Sequence, residues 1–235
     1  MMRVEVGRHG SGPVAAAIVL LLTVVSAAKL DAQDYPRSPS LEVGGGGWWI
    51  GPSDAGVATA SETPNQRGAG VPITLFETSA RLRSTVGIGG RLAFNLTSTL
   101  AVEGELIYSR PRMITSISND FETAPDVSFE GVSLHQYFIA GGVAVHLNSL
   151  RVTDRGVPFL SASVGYLRQL TDERLASETG QVYQVGGGFK QLVGTGQRIG
   201  LRFDVRAGVR KGGFAFDEGG RRAFLMVGGG AFVAF

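Results

Sequence analysis

The sequence predicts an all-β chain closed into an eight-stranded antiparallel up-and-down β-barrel. Three observations carry this: alternation of apolar and polar residues with a period of two, links that alternate between short and long, and abundant glycine within the alternating runs. Of 235 residues 35 are glycine, about twice the ordinary share of about 7%. A hydrophobic share of 43% with a net charge of only +2 argues against disorder. The absence of cysteine excludes a disulfide framework and thiolate metal sites.

The N-terminus reads as a processing signal. Arg3 and Arg8 precede the apolar run Val14 to Ala28, and small residues follow, the order of a secretory signal peptide. The run is shorter than the ~20 residues a spanning helix needs. Ala27, Ala28 and Ala32 all suit cleavage, and Ala32 is favoured, giving a signal peptide over residues 1–32 and a single barrel domain over 33–235. Cleavage removes Arg3, Arg8, Lys29, Glu5 and Asp31 and leaves 19 basic against 18 acidic residues. The mature chain is nearly neutral and has no clustered basic stripe, so no nucleic-acid partner is expected.

Alternation places strands near residues 40–51, 80–95, 100–110, 134–147, 157–168, 182–192, 198–210 and 222–235. In the second, Leu82, Val86, Ile88, Leu92 and Phe94 share one face, while Arg81, Arg83, Arg91 and Asn95 take the other. A turn at Thr97, Ser98 and Thr99 leads into Leu100, Val102, Leu106 and Tyr108, opposed by Glu103 and Glu105, which makes the pair a hairpin. The seventh strand is the clearest. Ile199, Leu201, Phe203, Val205 and Val209 alternate with Arg198, Arg202, Asp204, Arg206 and Arg210, arginines that a helix would scatter around its circumference. The segments Pro52–Leu75 and Pro111–Val132 are rich in Ser, Thr, Asn, Asp, Gly and Pro and read as long loops. Short turns at one end and long loops at the other, with an even strand number, put both termini at the short-turn end.

A soluble barrel and a transmembrane one share this alternation and differ in which face is apolar. The polar face carries Arg91, Glu103, Glu105, Lys190, Arg202, Asp204 and Arg206 in mid-strand, charges of both signs that neutralise one another inside a narrow lumen; a solvated exterior would tolerate them too. The aromatics of the apolar face separate the readings. Trp49, Tyr108, Tyr137, Tyr166 and Tyr183 fall at the long-loop ends of their strands, and Phe94, Phe189 and Phe235 at the opposite ends. Two aromatic girdles around an aliphatic band are what a transmembrane barrel needs at its two lipid–water interfaces.

The last strand, Ala223 to Phe235, ends on an aromatic with Val233, Ala231, Gly229, Val227 and Leu225 on the same face. It resembles the carboxy-terminal signature by which bacterial outer-membrane proteins are recognised for assembly. Val157-Pro-Phe-Leu-Ser-Ala-Ser-Val-Gly-Tyr166 resembles the Pro-aromatic, Gly-x-Gly-Tyr strand of OmpA-like outer-membrane barrel domains, with Ser163 in place of a glycine. Gly89–Asn95 with Leu100–Glu105 resembles their second hairpin. The resemblance spans essentially the whole mature chain. It implies a diderm outer-membrane location with periplasmic termini, outer-membrane lipid as surroundings, the barrel-assembly machinery as a partner of the final strand, and outward loops whose ligand the sequence does not name.

Glycine runs at 44–47, 186–188 and 228–230 lie inside strands, where glycine ordinarily costs stability. A strongly curved small barrel uses such positions to admit large lumen side chains from neighbouring strands. None matches a phosphate-binding loop. Catalytic chemistry is sparse: His135 and His146 are the histidines of the mature chain, neither stands in a His-x-Ser arrangement, and no acidic partner is indicated for them. Asp120, Glu122, Asp126 and Glu130 lack calcium-loop spacing and read as a solvated loop. No cofactor or metal is expected. Arg91 can face Glu103 or Glu105 across its hairpin, and Asp204 lies two positions from Arg202 and Arg206, which favours a packed lumen and a non-enzymatic envelope role. The alternatives are a narrow solute channel and, further off, a lipid-modifying enzyme.

Overall fold

The computed structural model describes residues 38–62, 73–122, 124–151, 153, 155–172, 176–193, 198–215 and 220–235; the predicted signal peptide lies outside them. Eleven strands follow in chain order: β1 (Ser40–Ile50), β2 (Ser53–Glu62), β3 (Ile73–Leu82), β4 (Thr85–Asn95), β5 (Leu100–Ser109), β6 (Arg112–Ser118), β7 (Val127–His146), β8 (Gly156–Thr171), β9 (Ser177–Val193), β10 (Ile199–Gly212) and β11 (Arg221–Ala234). Eight of them form a closed antiparallel barrel. Neighbours run β7-β5-β4-β1-β11-β10-β9-β8, and β7 pairs with β8 to complete the circle. First and last strands are therefore neighbours, joined at their ends by Phe235 N to Leu41 O at 2.8 Å and Leu41 N to Phe235 O at 3.2 Å.

The eight barrel strands are those the alternation predicts, and the corrections concern their surroundings. The predicted strand 80–95 is divided at Arg83–Ser84, its first residues belonging to β3. The segments expected as loops are largely strand: β2, β3, β6 and the first residues of β7 form an antiparallel sheet in that order, standing on the barrel end where β1, β4, β5 and β7 emerge. Its register puts Thr78, Ile117 and Val127 on one side and Ser79, Ser116 and Ser128 on the other. The first side also carries Phe76 and Phe129, 36% and 52% exposed. The opposite barrel end has short links. At Thr97–Thr99, Thr97 Oγ1 accepts the N–H of Leu100 at 2.9 Å and of Thr99 at 3.2 Å.

Which face is apolar is unambiguous. On β10, Ile199, Leu201, Phe203, Val205 and Val209 are exposed, while Arg202, Asp204, Arg206 and Arg210 are buried. The same holds around the circle, with Val86, Ile88, Leu92, Leu106, Ile139, Val164, Val185 and Leu225 outward. A contiguous outer band of aliphatic side chains around a charged interior inverts a water-soluble protein and suits hydrocarbon.

Glycine resolves the crowding inside. Four inward aromatics each lie opposite a glycine on a neighbouring strand: Trp48 with Gly228, Phe159 with Gly188, Phe224 with Gly208 and Phe232 with Gly200. A methyl group on any of these glycines would overlap the ring, so glycine is there to let an aromatic lie flat against the wall.

Candidate functional site: the charged lumen

The lumen is spanned by one ion-pair network. Arg91 of β4 donates to Glu105 at 3.0 Å and across the lumen to Asp204 at 3.2 Å. Arg202 binds both oxygens of Glu103 through its two terminal nitrogens and reaches Asp204 Oδ2 at 2.9 Å through Nε. Arg206 pairs with Glu105 and with Asp204, the latter at 2.9 Å. Lys190 Nζ lies 2.7 Å from Glu42 Oε2 and 3.8 Å from Glu103. Every charged residue predicted for the lumen is thus brought into one cluster, and Glu42 joins it. Glu42 alternates with Leu41 and Val43 in β1, so the same parity argument identifies it once β1 is placed beside β4 and β11.

Four carboxylates (Glu42, Glu103, Glu105, Asp204) balance four cations (Arg91, Lys190, Arg202, Arg206). Each cation also rests on an aromatic ring. The Arg202 guanidinium lies 4.1 Å from the Phe159 ring centre, Arg206 and Arg91 lie 4.9 and 5.2 Å from that of Trp48, and Lys190 sits 5.8 Å from those of Phe159 and Phe232. Charge pairing and cation–π contact together supply what water would otherwise give these desolvated groups. Towards the short-link end, Asn95 donates to Glu42 at 2.9 Å and to Ser40 at 3.0 Å. Towards the other end the lining holds two further buried cations, Arg210 and Arg222, Arg210 donating to the backbone carbonyl of Asp54 at 2.8 Å. With them are Gln169, which donates to Gln136 at 2.6 Å, and Gln136, which donates to Ser109 at 3.3 Å. A cavity of about 40 Å³ remains beside the network, lined by Glu42, Arg91, Glu105, Arg202 and Asp204 and by glycines of β1, β4 and β11. That is room for a few water molecules.

The predicted girdle residues all sit on the outward face. Trp49, Tyr166 and Tyr183 are exposed, Tyr108 and Tyr137 partly so, with ring centres 5.1 Å apart. At the other end Phe94 and Phe235 are exposed, and Phe189 is partly buried beside its partner Phe203. Trp48, next to Trp49, faces inward instead.

The histidines separate. His146 is buried at the short-link end of the lumen, and its ring nitrogens have no hydrogen-bond partner among the described residues. His135 does have an acidic partner, contrary to expectation: its Nε2 lies 3.3 Å from Asp172, and its Nδ1 is 2.7 Å from the Tyr108 hydroxyl. The signal was missed because Asp172 lies in the link after β8 and reaches His135 only once β8 pairs with β7. Asp172 also accepts from Arg110 at 2.9 Å, a hydrogen bond that raises the guanidinium pKa above its ordinary value. Glu130 belongs to β7 rather than a loop, while Asp120 accepts the N–H of Glu122 at 2.9 Å in a turn. Among the described residues no three or more His, Asp or Glu side chains gather in an arrangement that could hold a metal ion.

No protein-family model and no curated protein matches the sequence. Solved structures match the fold. The chain is similar to the outer membrane protein OprG from Pseudomonas aeruginosa (TM-score 0.52, 11% identity, covering 85% of this chain and 97% of that one). Neisserial surface protein A also matches (TM-score 0.48, 13% identity, covering 83% and 97%). So does the N-terminal β-barrel domain of OprF from P. aeruginosa (TM-score 0.39, 13% identity, covering 84% and 98%). These neighbours are small outer-membrane β-barrels, and the likeness to OprG is one of fold.

Proposed function

We propose that the chain is an integral outer-membrane barrel with a closed lumen, exported by a cleaved signal peptide and inserted by the barrel-assembly machinery through β11, and that its role is structural or surface-interacting rather than catalytic. The observation that carries this reading is the charge-balanced network across an eight-stranded barrel, whose interior is about the width that side chains fill. The cavity beside the network is room for a few waters, which supports a lumen filled by side chains. The sheet of β2, β3, β6 and β7 adds a surface outside the bilayer, with Phe76, Val127 and Phe129 on one face. The resemblance of the final strand to an assembly signature supports the assembly partner, and the charged, apolar and small-residue order of residues 1–32 supports export.

Planar-bilayer recording of refolded protein tests the closed lumen. No resolved unitary current is expected; defined currents that disappear on substitution of Arg91 or Glu105 would establish a channel instead. The chain's two tryptophans test the lipid-facing assignment. In vesicles with brominated acyl chains, Trp48→Phe, which retains Trp49, should be strongly quenched, and Trp49→Phe, which retains the inward Trp48, should not. Lipid A mass spectra after expression should show unchanged acylation; an altered pattern would restore the enzyme reading. Membrane fractionation with N-terminal mass spectrometry should find the chain in the outer membrane, starting at Gln33.

A further inference from the structure

Where β8 to β11 leave the barrel on the long-loop side, the outward face carries one continuous row across four strands. Tyr166 pairs with Gln181, Gln181 with Lys211, and Lys211 with Arg221. The row immediately below it is Val164, Tyr183, Val209 and Ala223, the edge of the apolar band. Tyr183 spans the step, its hydroxyl donating to Gln181 at 2.9 Å. One step above Tyr166, Arg168 is outward and exposed.

Lys211 and Arg221 form a like-charge pair at directly opposed positions, an arrangement that destabilises a sheet. Both are exposed, and no ion pair joins either of them, or Arg168, to a carboxylate among the described residues. Inside the lumen, by contrast, each cation of the central network is matched by a carboxylate. A lysine and an arginine with side chains starting about 5 Å apart can converge on one tetrahedral oxyanion, the guanidinium supplying parallel N–H donors and the ammonium a point charge. Their height selects the source of that oxyanion. They stand just beyond the aliphatic band and level with Tyr166, where a bilayer places its phosphates.

We propose that Lys211 and Arg221, flanked by Arg168, hold the phosphate group of an anionic lipid in the leaflet around the long-loop end of the barrel. The proposal rests on the reading of the barrel as membrane-spanning. The acyl chains then run down over Val209, Ala223, Val205 and Leu225, the outward residues below the pair on β10 and β11.

Native mass spectrometry of the refolded full chain, released from micelles containing equal amounts of phosphatidic acid and phosphatidylcholine, reads the preference directly. At about fivefold per cation, the wild type should favour phosphatidic acid by roughly thirtyfold for the pair. The double variant Lys211→Gln/Arg221→Gln should lose that preference. The exchange Lys211→Arg/Arg221→Lys should keep it, as should Arg198→Gln at the other end of the barrel. Equal retention of the two lipids by the wild type, or an undiminished preference in the Gln/Gln variant, would overturn the proposal. Displacement of the lipid by excess inorganic phosphate would show a free-phosphate site and overturn the lipid assignment. Heat-modifiable migration of the same samples keeps the two readings apart. A folded barrel that inserts in vesicles but shows no lipid preference refutes the clamp alone, whereas a chain that stays soluble and unmodified by heat refutes the membrane reading itself.

Discussion

The barrel and the sheet that stands on it are built with the same period-two pattern, yet they are specified to different degrees. In the barrel each strand has two neighbours, its mid-strand outward residues are mostly aliphatic or aromatic, and the charges of its central lumen network are paired. In the outer sheet β2 is an edge, the register shifts between Asp54 and Gly56 and between Ala60 and Ser61, and phenylalanines stand exposed. Closure accounts for the difference. A one-residue slip of any barrel strand would carry its charges into hydrocarbon and its aliphatics into the ion-pair network, a penalty multiplied over the strand. A slip in β2 exchanges Val57 and Thr59 for Ala58 and Ala60 in a solvated sheet and costs little.

Substitutions in the two regions should separate by magnitude. Arg202→Met removes the bidentate partner of buried Glu103 and one partner of Asp204, and should destabilise the barrel by about 3 kcal/mol, read as a lowered urea midpoint in refolding from detergent. Wild-type stability in this variant would mean that the network is not what organises the lumen. Gly228→Ala forces a methyl into the Trp48 ring and should cost about 1–3 kcal/mol. Adding Trp48→Leu should recover part of that loss, and a double variant no better than the single would remove the ring overlap as the cause. Thr97→Ala loses the acceptor of two turn N–H groups and should cost about 1 kcal/mol, mostly as faster unfolding. Phe129→Ser in the outer sheet should shift barrel unfolding by less than about 0.5 kcal/mol. A loss as large as that of Gly228→Ala would show that sheet and barrel fold as one unit.

The barrel was legible because both environments impose strong chemistry at every second residue. Leu201, Phe203 and Val205 against Arg202, Asp204 and Arg206 leave no other assignment. The outer sheet was not, because Ser-Asp-Ala-Gly-Val-Ala-Thr-Ala-Ser in β2 alternates between weakly different side chains and its composition is that of a turn. Only the pairing of β3 with β6, which joins two hairpins distant in the chain, turns these segments into a sheet. The lumen cluster was readable by parity, but its partner assignments were not. Arg91 meets Glu105 by cross-strand register, whereas its contact with Asp204, and that of Lys190 with Glu42, bridge the barrel from wall to wall. The acidic partner of His135 likewise depends on a tertiary approach that no local spacing announces.

The pairing of β1 with β11 also has a kinetic side. Because the first strand's partner is the last, the ring cannot be sealed until residues near Phe235 arrive, and the loop closed at that step is nearly the whole barrel. Contacts of such sequence separation form slowly. Until they form, two open edges rich in unpaired N–H and C=O groups face whatever surrounds the chain. A polypeptide so arranged is at its most vulnerable just before completion, and a holding partner that covers those edges would act on the rate of success rather than on the stability of the finished ring.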